Sequence, residues 1–135
     1  MPKIRTLLVD DEYLALNLLE GYLRQLDDIE VVAKIRQPLQ ALELLGRESV
    51  DLLFLDIQMP RLTGLDLLKS LSRRPVTIFT TAYSEFAVEA YGLDAVDYLP
   101  KPYSFERLLQ ALNKARLVLR PPATPPAPVA APAPA

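Results

Sequence analysis

Apolar positions along this chain recur with two alternating periods, one strand-like and one helix-like. Apolar runs at Ile4–Val9 (with Arg5 and Thr6 inside), 30–35, 51–55, 76–80 and 96–99 predict five strands. Between the first two, Leu16, Leu19, Tyr22, Leu23 and Leu26 recur at helical spacing and predict a helix over about 12–26. Pro38 suits the first turn of a second helix, running to about Arg47. A loop with Pro60 and Gly64 leads into a third, which carries Leu65, Leu68 and Leu71 and is stopped by Pro75. A short fourth helix is expected at about 85–91. A last one runs from Ser104 to about Leu119, with Leu108, Leu112, Ala115 and Leu119 as its apolar stripe.

Five strands alternating with five helices predict an α/β fold, a parallel sheet covered on both faces. Right-handed crossovers then bring every strand's carboxyl end to one edge, where such sheets place ligands. Asp10 and Asp11 follow the first run, Asp56 the third, Thr80 and Thr81 the fourth, and Lys101 the fifth. The sequence thus predicts one edge carrying three carboxylates, two hydroxyls and an ammonium. After Arg120 the pattern stops, and 121–135 is almost wholly proline and alanine. The expected organisation is a folded unit at 1–119 and an extended Pro/Ala-rich linker or tail at 120–135.

Composition narrows the chemistry. A net charge of -2 over 135 residues offers no electrostatic footprint for nucleic acid. The absence of cysteine excludes disulfides, thiolate metal sites and thiol nucleophiles; the absence of histidine excludes imidazole catalysis and most zinc sites. The N-terminus has no signal-peptide pattern, and no apolar run approaches the roughly 20 residues of a membrane span. A cytoplasmic location without membrane contact is the expectation.

Three carboxylates held close repel one another unless a cation or a proton relieves them. Magnesium accepts a few carboxylate oxygens while keeping several waters, which suits a sparse, open site. Asp56, on the central strand, is then a candidate nucleophile of the kind that forms aspartyl phosphates. Lys101 is placed to neutralise phosphoryl charge and Thr81 to hydrogen-bond a phosphoryl oxygen, the kind of positioning that dominates phosphoryl transfer.

Four motifs in order carry a family resemblance: Leu8-Val9-Asp10-Asp11-Glu12, Asp56-Ile57-Gln58-Met59-Pro60 with Gly64, Thr80-Thr81-Ala82, and Asp97-Tyr98-Leu99-Pro100-Lys101-Pro102. From about Ile4 to Leu119 the chain resembles the receiver domain of bacterial two-component response regulators. The resemblance implies a doubly wound, flavodoxin-like fold with strand order 2-1-3-4-5. It implies a signalling domain, not an enzyme, whose only chemistry is self-catalysed aspartyl phosphorylation and dephosphorylation. Asp56 is then the phosphoacceptor, and a sensor histidine kinase the donor. Mg2+ is held by Asp11, Asp56 and the backbone carbonyl of Gln58, with Asp10 acting mainly through a metal-bound water. Lys101 contacts the phosphoryl group, Thr81 moves to hydrogen-bond it, and Tyr98 turns inward behind Thr81.

The stretch that opens Ala82-Tyr83-Ser84-Glu85-Phe86-Ala87 and runs through Tyr98 looks more specifically like regulators with a LytTR-type (LytR/AlgR-like) DNA-binding output. No such output domain is present, so DNA contact and transcription control are expected only through an absent part, with the tail where a linker would begin. The alternative is a stand-alone receiver acting by protein–protein contact. Phe86, Ala87, Ala90 and Tyr91, with strand five and the last helix, are a candidate phosphorylation-dependent homodimer face; an ordinary amphipathic helix explains them too. Pro100 departs from the usual aliphatic residue and is tolerable on an edge strand. Lys101-Pro102 resembles a bond that is usually cis in the family.

Plainer readings stand beside these. Asp10 and Asp11 precede a helix and can serve as caps; Glu12 reads as a helix-start residue, and Thr80 as a strand residue. Tyr83 is either a shield over the site or an exposed loop aromatic. A phosphohydrolase with an aspartyl nucleophile would carry Asp-x-Asp where this chain has Asp10-Asp11-Glu12. A flavodoxin-like cofactor site would want a Ser/Thr/Gly-rich loop in that place, because these acids repel phosphate.

Overall fold

The structure, a computed structural model, describes residues 2–82 and 95–120. Five strands form one parallel sheet in the order β2-β1-β3-β4-β5: β1 (Ile4–Val9), β2 (Ile29–Ile35), β3 (Leu52–Asp56), β4 (Val76–Thr81) and β5 (Asp97–Pro100). Four helices lie among the described residues: α1 (Tyr13–Leu23), α2 (Pro38–Arg47), α3 (Gly64–Lys69) and α4 (Phe105–Leu119). The short helix expected at about 85–91 and the tail at 121–135 fall outside the described residues.

β1, β3 and β4 are buried along almost their whole length, as strands covered on both faces are. Alternation along each strand divides the side chains between two cores. On one face Leu7, Val9, Leu53, Leu55, Phe79 and Tyr98 pack with Ala41 and Leu44 of α2 and Leu65, Leu67 and Leu68 of α3. On the other, Ile4, Leu8, Leu52, Phe54, Ile78 and Leu99 meet the apolar stripes of α1 and α4. Both faces are covered by helices, which leaves the ends of the strands as the open rims, the carboxyl edge among them.

Helix ends follow local chemistry. Pro38 opens α2. Thr63 and Ser104 cap α3 and α4 by accepting the N–H groups of Asp66 and Arg107, each at 3.1 Å. The expected first helix is shorter than its apolar spacing implied: α1 ends at Leu23, and Leu26 lies in the following turn, its N–H bonded to the Leu23 carbonyl.

Strand β5 is an edge, as Pro100 requires. The Lys101 N–H donates to the Thr81 carbonyl at 2.8 Å. Successive strand N–H groups point to opposite sides, so the donor that Pro100 lacks falls on the outer, unpaired side. The Lys101-Pro102 bond is cis.

One buried polar residue ties β5 to α4. Asp97 is fully buried and accepts both guanidinium arms of Arg107, at 2.9 and 3.0 Å, with the Tyr98 N–H at 2.8 Å. Lys114, two turns further along α4, stands 3.3 Å away. Burial pushes the Asp97 carboxyl up, but Arg107, the Tyr98 amide and Lys114 outweigh it and hold the group down at about 2. A carboxyl held below its unfolded value stabilises the fold above about pH 4 and loses that contribution as pH falls toward 2. Asp97→Asn should therefore lower urea stability by roughly 2 kcal/mol at pH 7. The gap to wild type should narrow between about pH 4 and 2. A gap independent of pH would contradict this role.

Candidate functional site

Three strand ends deliver the site. Asp10 follows β1, and its N–H is held by the Ile35 carbonyl of β2 at 3.1 Å. Asp56 is the last residue of β3, and the next N–H, of Ile57, donates to the Thr80 carbonyl of β4 at 3.0 Å. Lys101 follows β5 and is anchored on Thr81 as described. Backbone pairing across β1, β3, β4 and β5 thus sets the spacing before any side chain contributes.

Carboxylate oxygens of Asp10, Asp11 and Asp56 lie within 4.8 Å of one another. Asp56 and Asp10 are only 3% and 6% exposed, whereas Asp11 is half-buried. A cavity of about 560 Å³ opens beside Asp11, lined by Lys34, Arg36, Gln37, Gln40 and Pro60. The Asp11 carbonyl accepts the Arg36 guanidinium through two contacts, both 3.4 Å.

Short hydrogen bonds orient the acids. Asp10 Oδ1 accepts the Glu12 N–H at 2.9 Å, and Asp56 Oδ1 accepts the Gln58 N–H at 3.2 Å. Lys101 Nζ reaches Asp10 Oδ2 at 2.8 Å, Glu12 Oε1 at 3.2 Å and Asp56 Oδ2 at 3.7 Å. Burial lowers the Lys101 ammonium's proton affinity, but these acids more than restore it, so its pKa lies above the usual lysine value. Burial first, and then the charge of Asp10, push the Asp56 carboxyl up to about 8, with Lys101 pulling the other way. One ammonium does not balance three carboxylates. The donor set is all oxygen, in a chain without cysteine or histidine, and it fits a hard cation.

The loop after β3 is shaped by Gly64. A Cβ at this position would collide with the Asp56 carbonyl oxygen and stand 3.1 Å from the Ile57 Cα, both of them backbone. The Gly64 N–H closes the loop on the Ile57 carbonyl at 2.9 Å. Arg61, between them, takes a left-handed φ of 72° to make the return.

The structure thus brings together Asp10, Asp11, Asp56, Lys101 and the Gln58 backbone, with Thr81 fully buried at the end of β4. Tyr98 lies apart, 8% exposed in the apolar cluster on the α2 and α3 face with Phe79. Tyr83 falls outside the described residues. Two participants were not read as site residues from sequence. Glu12 is the helix-start residue expected, at the N-cap of α1, yet its carboxylate goes to Lys101. Tyr103, one residue past Pro102, has its phenol pKa raised by burial and then by the negative charge of Asp10. No periodic signal marks either one.

Fold and edge together define a class: a doubly wound parallel α/β domain with an acidic, cation-ready pocket at the carboxyl ends of its strands. Residues 6–113 match the family described as the response regulator receiver domain, and the chain belongs to that family. It is a receiver domain of a response regulator, a signalling domain. The sensory transduction protein LytR of Staphylococcus haemolyticus is 41% identical over 116 residues, 84% of this chain and 45% of that protein. The transcriptional regulatory protein BtsR of Escherichia coli is 39% identical over 115 residues, 84% of this chain and 48% of that protein. The chain thus spans about half the length of these curated relatives. Among solved structures, the response regulatory domain of mrkE from Klebsiella pneumoniae superposes with a TM-score of 0.77 at 34% identity. That match covers 84% of this chain and 96% of the other. The REC domain of AraT from Geobacillus stearothermophilus gives 0.73 at 36% identity, over 85% and 94%.

Two outcomes follow from this geometry. Gly64→Ala should destabilise the domain by about 1–3 kcal/mol, because overpacking here moves backbone. Its signature is displaced amide resonances at Asp56 and Ile57; an unshifted spectrum would contradict the close approach. Asp56→Asn, which removes a carboxyl whose ionisation the fold opposes, should raise stability in EDTA by about 1–3 kcal/mol, read by urea denaturation at pH 7. A loss of stability would mean the carboxylates are not in conflict.

Proposed function

We propose that the domain accepts a phosphoryl group on Asp56 from a phosphohistidine of a partner sensor kinase. The supporting observation is the Asp56 carboxylate itself, buried at the end of the central strand within 3.7 Å of the Lys101 ammonium and grouped with two further acids. In the transfer, the P–N bond to the donor imidazole breaks and a P–O bond forms to an Asp56 oxygen. Asp11, Asp56 and the Gln58 carbonyl would hold Mg2+, with Asp10 acting through water; the ion supplies positive charge to the acids and to the phosphoryl oxygens. Lys101 offsets phosphoryl charge from the other side, since only its side chain is free to shift once its N–H is bonded to Thr81. Thr81 hydrogen-bonds the phosphoryl group, and Tyr98, on the same sheet face, responds behind it.

In this reading the phosphorylated state is favoured by differential contacts, a two-state bias rather than a new fold. Residues 1–119 form the receiver and 120–135 a linker toward an output. The relatives, a sensory transduction protein and a transcriptional regulatory protein, favour a DNA-binding output of LytTR type outside this chain. A homodimer through the 85–91 segment, β5 and α4 belongs to the same proposal; Leu117 and Val118, 65% and 57% exposed, give α4 apolar surface for it. Among the described residues no helix is long and apolar enough to cross a membrane, and the cytoplasm is the proposed location.

Incubation with Mg2+ and acetyl phosphate should add the mass of one phosphate to the intact chain. The adduct should be absent with EDTA and absent in Asp56→Asn. An adduct that survives Asp56→Asn rules out this acceptor.

A further inference from the structure

Lys101 is shared unevenly. Its ammonium has three N–H donors. It bonds Asp10 at 2.8 Å and Glu12 at 3.2 Å, yet stands 3.7 Å from Asp56, a charge contact and not a hydrogen bond. Glu12 is oddly used for its place: it is the N-cap of α1, but its side chain makes no cap bond. Its N–H is fixed on Asp10 Oδ1, and its carboxylate is turned to Lys101. The two acids that hold the ammonium also differ in freedom. Asp10 is buried, whereas the Glu12 side chain is 66% exposed and the Lys101 side chain 16%.

We propose that Glu12 is a positioning residue that restrains Lys101 in the resting state and competes with the phosphoryl group for its ammonium. This rests on Asp56 being the phosphoacceptor. A phosphoryl group adds strong acceptor oxygens and negative charge beside Lys101. Drawing the ammonium toward Asp56 strains the longer Glu12 contact before the shorter, buried Asp10 contact. Glu12 therefore sets a charge-dependent threshold on engaging Lys101, in a position reachable from solvent. The cluster that looks like one acidic site has two kinds of member: the acids grouped around the Asp56 carboxylate, and one exposed acid that holds the lysine back.

The test compares wild type with Glu12→Gln, which keeps the side chain's size and removes its charge. With phosphoramidate and Mg2+, followed by intact mass, Glu12→Gln should form the adduct about two- to fivefold faster at low salt, the range expected for an exposed ion pair. The difference should close near ~1 M salt, where the pair is screened. Rates that are equal or slower at low salt overturn the competition. A second readout needs neither phosphate nor metal. In EDTA, urea denaturation of Glu12→Gln, Lys101→Met and the double variant should be non-additive; additivity overturns the resting contact. If wild type takes no adduct while Glu12 and Lys101 remain coupled in urea, the phosphoacceptor reading has failed, and the competition falls with it.

Discussion

Three carboxylates that repel one another are held together by a sheet that leaves them little room to separate. Asp10 and Asp56 sit at the ends of adjacent parallel strands, and their backbones are fixed by neighbouring carbonyls. The repulsion is therefore built into the backbone and must be met by something mobile. Lys101 meets part of it, as a single ammonium among Asp10, Glu12 and Asp56. Burial and the charge of Asp10 still leave the Asp56 carboxyl with a strongly raised proton affinity. A site in this condition is poised for cation binding because the empty arrangement is electrostatically unfavourable. Stability is given up where function needs concentrated charge.

That arrangement depends on close backbone approach as much as on charge. Gly64 allows the β3–α3 loop to fold back over the Asp56 carbonyl, and the Ile57 N–H reaches across to Thr80. The residue after Asp56 thus ties β3 to β4, whose last residue, Thr81, in turn receives the N–H of Lys101, just past β5. A continuous set of main-chain hydrogen bonds runs from the acid to the lysine. Displacement at one strand end is passed to the next through backbone, which deforms little.

Farther along β5, Asp97 shows the opposite electrostatic solution. Like Asp56 it is buried, yet its carboxyl is held at about 2, because a bidentate arginine, the Tyr98 amide and a lysine answer its charge. Asp97 and Lys101 are four residues apart on one edge segment, the first locked onto α4 and the second held partly by an exposed acid. The edge strand therefore joins a rigid anchor to an adjustable contact. That pairing suits a segment lying between the acidic edge and an outer helix.

Much of this was legible in the chain itself. Two apolar periods placed all five strands, and Asp10, Asp11, Asp56 and Lys101 could be assigned to one edge because a parallel sheet leaves no other place for residues at strand ends. Pro100 marked an edge strand because it lacks a ladder donor. Sequence also named Gly64, but not its reason, which is a collision with backbone eight residues earlier. Asp97 read as one letter of a motif; that it is a buried anchor depends on Arg107 and Lys114, whose arrival follows from how α4 packs. Glu12 read as a helix-start residue, and helical spacing carries no sign of an ion pair to a lysine 89 residues away. Local pattern determined which elements form and which end of the sheet bears charge, because burial and turn chemistry act over a few residues. Tertiary structure alone decided which charge answers which, because Coulomb interactions depend on distance in space and not on separation along the chain.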